Sequence, residues 1–197
     1  DPIKTFEEKV VWVKGMKGSE RRLAFIRGDL NATRENPAAY KKHVLPVIKK
    51  GDAYTWFHHG LLDVSTGQHG KDPNFTEPTF EALYEATYGV APSGDFYDAY
   101  KLVKSWRDAL QKAFWVNKGN PNKDKLVAAL NKMINDPESV AAIEKKVGKY
   151  EWRTGTDGDA AVRTLKSFIT PEALRTLADF KSQQLGYNTV YKKELTE

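Results

Sequence analysis

The sequence predicts an α/β protein, on two observations. Short β-branched and aromatic runs alternate with helical stretches up to His58, and the remainder is a succession of helices punctuated by Gly and Pro. Val10-Val11-Trp12-Val13 reads as a buried strand that stops at Lys14-Gly15. A loop follows, then Ser19 as an N-cap before Glu20, a helix through Arg27, and Gly28 at a C′-like position. Leu30 to Thr33 is a second short strand. Pro37 opens a helix through Ile48 with Tyr40, Val44, Val47 and Ile48 apolar; Pro46 is expected to break or bend it, and Gly51 ends it. Tyr54 to His58 is the third strand candidate.

Gly60 to Thr76 reads as loop, and Thr76-Glu77-Pro78-Thr79 leads into a helix from Phe80 to Thr87. The loop Gly89 to Gly94, with Pro92, marks a lobe boundary. Phe96 to Ala113 forms a long helix with Tyr97, Tyr100, Val103 and Leu110 apolar, running into a short strand, Phe114-Trp115-Val116. After Asn117-Lys118-Gly119-Asn120-Pro121 comes an amphipathic helix whose Leu126, Val127, Leu130, Met133 and Ile134 share one face. Asp136-Pro137 stops it. Ser139 to Val147 is a short helix closed by Gly148, followed by helices from Asp159 to Ile169 and from Pro171 to Leu185, the last capped by Thr170.

A chain of 197 residues with 40% hydrophobic and 12% aromatic side chains can bury a real core, which argues against overall disorder. No apolar run approaches bilayer-spanning length. The absence of cysteine excludes disulfides, thiolate zinc sites and a cysteine nucleophile. A net charge of +5 suits acidic partners, but the lysines are scattered in pairs such as Lys41-Lys42 and Lys145-Lys146 with acids between them, the pattern of a solvated surface.

His58 and His59 are adjacent on a strand candidate and so point to opposite faces; His43 and His69 have no partner at metal-ligand spacing. Neither a metal nor a cofactor is expected. No paired carboxylates, Ser-His-Asp order or nucleophile elbow stand out, so no enzyme is expected. Trp12, Trp56 and Trp115 lie in strand-like runs, where core packing outweighs base stacking.

The stretch from Lys14 to Asn31 places a glycine loop between a strand and a helix N-terminus, where free N–H groups and the helix dipole suit a carboxylate or phosphate. It matches neither a Walker A loop nor a dinucleotide fingerprint. It resembles the glycine-loop, helix and "Arg-Gly-Glu-Val-Asp" segment of tripartite tricarboxylate transporter solute-binding proteins. Four further pieces resemble that family in the same order: Val44 to Gly51 with the strand Tyr54 to Gly60 after it, Pro78-Thr79-Phe80-Glu81-Ala82, Phe114 to Pro121, and Lys125 to Glu138. Val13, Asn31 and Asn117 depart from its usual residues.

The resemblance implies a periplasmic-binding-protein type II-like fold, here an incomplete two-lobe architecture with short strands and many helices. Residues 1–90 would form an α/β lobe segment with a cleft-facing glycine loop, and 91–197 a mostly helical segment completing the other lobe. It further implies a periplasmic receptor that captures a small organic carboxylate and docks on the transporter's membrane subunits, with an N-terminal half of the family's pattern missing from this chain. Ligand contacts transferred by position are Lys17, Gly18, Ser19, Thr33, Arg34, Glu35 and Asn36; the Ser19 hydroxyl and the Arg34 fork suit a carboxylate. From the residues alone, Ser19 reads equally as an N-cap and Arg34 as a surface ion-pair residue. The rival reading is a basic interaction module binding nucleic acid or an acidic protein. The solute-receptor reading expects no nucleic acid.

Overall fold

The computed structural model describes residues 10–72, 75–110, 113–147, 151–183 and 186. Among these the protein is mixed α/β and mostly helical, with a two-stranded antiparallel sheet. The expected helix ends at Gly148 and Leu185 lie outside the described residues. The chain divides into two compact units, Asp1–Tyr54 and Thr55–Glu197. The boundary read from the Gly89 to Gly94 loop therefore falls within the second unit.

In the first unit, α1 spans Gly18–Arg27. Its N-cap is Lys17 rather than Ser19, because the Glu20 carboxylate folds back to accept from the Lys17 backbone N–H at 2.9 Å and satisfies the free helix end. At the other end Gly28, at φ 84°, donates to the carbonyls of Ala24 and Phe25, as its lack of a Cβ allows. α2 (Pro37–Ala39) is capped by Asn36, whose side chain accepts from Ala39 N–H at 3.0 Å. A π-helical turn, Tyr40–Val44, then leads into α3 (Leu45–Lys49), with Leu45 N–H bonded back to Tyr40. Pro46 has no N–H to donate to the preceding turn, and the wider π turn absorbs that loss where a break or a bend was expected.

The second unit begins with an irregular stretch that reaches β1 (Leu61–Asp63), paired antiparallel with β2 (Gln68–Gly70) so that Leu62 faces His69 across the ladder. This hairpin lies where a loop was expected. Its turn is built by Asp63, which accepts from Ser65 N–H at 2.9 Å, and by Gly67 at φ 71°. α4 (Phe80–Tyr88) starts at Thr79, whose hydroxyl accepts from Ala82 N–H at 3.1 Å, and stops at Gly89. α5 (Asp95–Leu110) carries Asp95 and Asp98 in its first turn, where acids complement the helix dipole. α6 (Lys123–Ile134), α7 (Pro137–Val147), α8 (Gly155–Ser167) and α9 (Pro171–Gln183) follow. Thr170 caps α9 as expected, its hydroxyl accepting from Ala173 N–H at 3.1 Å.

α5 packs most extensively against α9, and Ala173 and Ala178 are buried on α9. Leu102 of α5, Leu62 of the hairpin and Leu165 of α8 complete the apolar core. Burying each leucine contributes about 1.5–3 kcal/mol. On α5 the buried residues are Ala99, Leu102, Lys104 and Ser105, while Val103, expected on the apolar face, is exposed.

The four stretches expected as strands, Val10 to Val13, Leu30 to Thr33, Tyr54 to His58 and Phe114 to Val116, are not strands; only His58 forms an isolated parallel bridge, to Thr79. Val11 is 89% exposed, Tyr54 82% and Trp115 75%. β-Branched and aromatic composition favours a pleated, half-buried surface, but a strand needs a neighbour to pair with.

Candidate functional site

α5 organises the most perturbed group of side chains in the second unit. Tyr97, Lys101, Lys104 and Asp108 recur at helical spacing along one side of it, with Tyr100 and Ser105 beside them. α4 contributes Glu81, the stretch before the hairpin His59, and β2 His69. The Tyr97 hydroxyl donates to Glu81 Oε1 at 3.3 Å, Tyr100 meets His59 Nδ1 at 2.8 Å, and Ser105 Oγ meets His69 Nε2 at 3.2 Å. Rings close around them: Phe80 on Tyr100 at 4.9 Å between centroids, Phe57 on His59 at 5.5 Å, and His69 beside Phe168 at 6.2 Å.

Lys104 lies in the middle of this group with only 3% of its side chain exposed. Its Nζ is 4.0 Å from Glu81 Oε1 and has no hydrogen-bond partner, and Asp108 Oδ2 has none either. An ammonium so placed is costly to keep charged. Burial pushes Lys104 down to about 8 against the opposing pull of Glu81 and Asp108. Burial pushes Asp108 up to about 6, with Lys104 and Arg107 holding it back. Tyr97 is pushed up to about 12, by burial and then by the Glu81 charge, so its hydroxyl stays protonated. Tyr100 is raised for the same reasons. His59 is lowered by desolvation and then by Lys104. His69 is pushed down to about 4 by burial, then by Lys104 and Lys101, and is neutral at ordinary pH.

Above this network is a concavity of about 330 Å³ lined by Gly67, Gln68, His69, Tyr97, Lys101 and Phe168. Its walls combine two aromatic rings with the Gln68 amide and the Lys101 ammonium. Asp98 holds Lys101 at 2.7 Å, and the ammonium also sits 5.0 Å from the Tyr97 ring centroid. An ammonium has three N–H donors, so one carboxylate partner leaves donors for another anion. Thr164 of α8 pins the hairpin beside the concavity, its hydroxyl donating to the Val64 carbonyl at 2.5 Å.

The residues transferred from the sequence resemblance all lie in the first unit. Lys17, Gly18 and Ser19 form the exposed entry to α1, where Glu20 occupies the Lys17 N–H. Thr33, Arg34 and Glu35 are gathered onto α1 by its arginines. Arg21 donates to Thr33 Oγ1 at 3.0 Å and to the Arg34 carbonyl at 2.7 Å, and Arg22 donates to Glu35 Oε2 at 3.1 Å. Asn36 is the α2 cap. The two groups, 17–19 and 33–36, are thus joined through Arg21 and Arg22, two residues that sequence reasoning passed over. The Glu35 side chain is 5% exposed, an internal clamp.

Comparison with family models, curated proteins and solved structures returns no match. Sequence reasoning missed the α5 site, although Tyr97, Lys101, Lys104 and Asp108 at i, i+4, i+7 and i+11 form a polar stripe on a helix read for its apolar positions. His58 and His59 have different ring neighbours, though the stretch is not the strand that was expected: His58 stacks on Phe75 and His59 stands against Phe57 and Tyr100. Among the described residues no cluster of three metal-ligating side chains occurs, and no helix is long and apolar enough to cross a membrane.

Proposed function

We propose that this protein is an extracytoplasmic solute receptor that captures a small organic carboxylate without turning it over. The observation that carries this reading is the concavity over α5, where the Lys101 ammonium and the Gln68 amide stand beside the Phe168 and Tyr97 rings. A small carboxylate fits that combination: its charge meets Lys101, its second oxygen the amide, and its carbon skeleton the rings.

The ordered resemblance of five segments to tripartite tricarboxylate transporter receptors supports the same ligand class. On that reading the fold is periplasmic-binding-protein type II-like, the compartment is the periplasm, and the partners are the transporter's membrane subunits. Within the first unit by itself, Lys17, Gly18 and Ser19 are a separate carboxylate contact through the Gly18 and Ser19 backbone N–H groups, since Glu20 takes that of Lys17, with 33–36 beside them.

Thermal-shift measurements with millimolar benzoate, pyruvate, succinate and citrate test the reading. Ligand at about 100 times its Kd stabilises by about 2.7 kcal/mol, a shift of several degrees. Stabilisation by at least one of these acids, lost in Lys101→Met, is expected; none from any of the four contradicts the proposal.

A further inference from the structure

Among the residues that line the concavity, His69 carries the one imidazole. It is held on three sides. Ser105 Oγ meets its Nε2 at 3.2 Å from α5, Phe168 lies 6.2 Å from its ring, and Leu62 stands opposite across the hairpin. The charges around it come mainly from α5: Lys101 on the pocket wall, paired with Asp98, and the buried Lys104 beneath. Tyr97, also on α5, is tied to Glu81 of α4, which balances part of the Lys104 charge. α8 meets the hairpin through the uncharged Thr164.

We propose that the pocket takes up a proton at His69 together with its anion, so that acid favours capture. The inference rests on the receptor reading above and names how that site is regulated. With no anion bound, the part-buried imidazole feels the positive charges of Lys104 and Lys101, an environment that disfavours a further positive charge. A carboxylate seated against Lys101 cancels the nearer ammonium and places a negative charge beside the ring. The imidazolium is then the favoured form, and the proton enters from solvent as the anion binds. Lys104 and Glu81 stay in place beneath, so His69 is the group that moves between charge states.

Linkage fixes the sign. If the bound anion raises the His69 pKa from about 4 to its ordinary value near 6.5, affinity increases as pH falls through that range, by about tenfold between about pH 7.5 and pH 5.5. Benzoate and pyruvate, both ionised over this interval, are the probes. Isothermal titration calorimetry in two buffers of different ionisation heat reads affinity and proton uptake together. The expected result at about pH 5.5 is uptake of about one proton per anion, absent in His69→Gln. In the wild-type protein, the His69 ring resonances followed by NMR shift their titration upward on saturation with benzoate, a readout that does not depend on the variant folding. Binding with a flat pH profile, proton uptake that persists in His69→Gln, or a His69 titration unmoved by benzoate overturns this inference and leaves the receptor reading standing. Failure of benzoate, pyruvate, succinate and citrate alike to bind at either pH overturns the receptor reading and this inference with it.

Discussion

The Tyr100 hydroxyl lies 2.8 Å from His59 Nδ1, joining α5 to a stretch 41 residues earlier in the chain. With the matching contact of Ser105 on His69, it fixes the hairpin on the helix that bears Lys101 and Lys104, and so sets the shape of the concavity. Tyr100→Phe keeps the ring packing on Phe80 and removes only the hydroxyl. Denaturant unfolding is expected to show a loss of about 0.5–1 kcal/mol, the scale of a partly exposed hydrogen bond. An unchanged midpoint would show that this contact does not hold the hairpin.

Gly60 has a tighter constraint. At φ 73°, a Cβ here would meet the Gly70 carbonyl oxygen at 2.2 Å, and backbone cannot swing away as a side chain can. Gly60→Ala is expected to cost about 2 kcal/mol or more, combining left-handed strain with displacement of β2. Thermal unfolding of the variant checks it; a loss below about 0.5 kcal/mol would mean the strand ends are free to part.

Asp108 and His69 predict opposite pH slopes. The Asp108 pKa is raised to about 6, so its contribution is fully present below the ordinary carboxylate value near 4 and fades as pH rises towards 6. The His69 pKa is depressed to about 4, so its contribution is present above 6.5 and fades as pH falls towards 4. With solvent screening of these partly exposed groups, each slope amounts to on the order of 2 kcal/mol across its window, and in the wild-type protein they largely cancel. Asp108→Asn is expected to make stability fall on acidification between those limits, and His69→Gln to make it rise. Urea titrations at a series of pH values distinguish the two.

In the first unit, Glu35 accepts from Arg22 at 3.1 Å and sits 3.5 Å from Arg21. Glu35→Ala leaves two guanidinium groups facing each other without their shared carboxylate, a change expected to cost about 1–3 kcal/mol. Loss of protection in hydrogen exchange across 18–36, with α5 unaffected, is the expected signature. Equal loosening of α5 would contradict a clamp local to this unit.

Helix positions were legible where chemistry is local. Gly28 after α1 and Thr170 before α9 act within a turn of themselves, and the structure places both as caps. Strand formation is not local. Val10 to Val13 and Phe114 to Val116 have the composition of strands, but pairing depends on a neighbour that composition cannot specify. The hairpin was missed for the converse reason: Leu61–Asp63 and Gln68–Gly70 are too short to show alternation, and its signal lay in the turn, Asp63 to Gly67. The α5 site was hidden because an interior lysine contradicts the usual reading of helix faces. Lys104 is buried by residues from α4 and the hairpin, contacts that appear only once the chain has folded.

The central claim is that a small carboxylate binds over α5. A ¹H–¹⁵N NMR titration of the protein with benzoate tests it most directly. Saturable shifts at Gln68, His69, Lys101 and Phe168 are predicted, weakened in Lys101→Met. No saturable shift with millimolar benzoate, pyruvate, succinate or citrate, or shifts confined to residues 17–36 of the first unit, would contradict it.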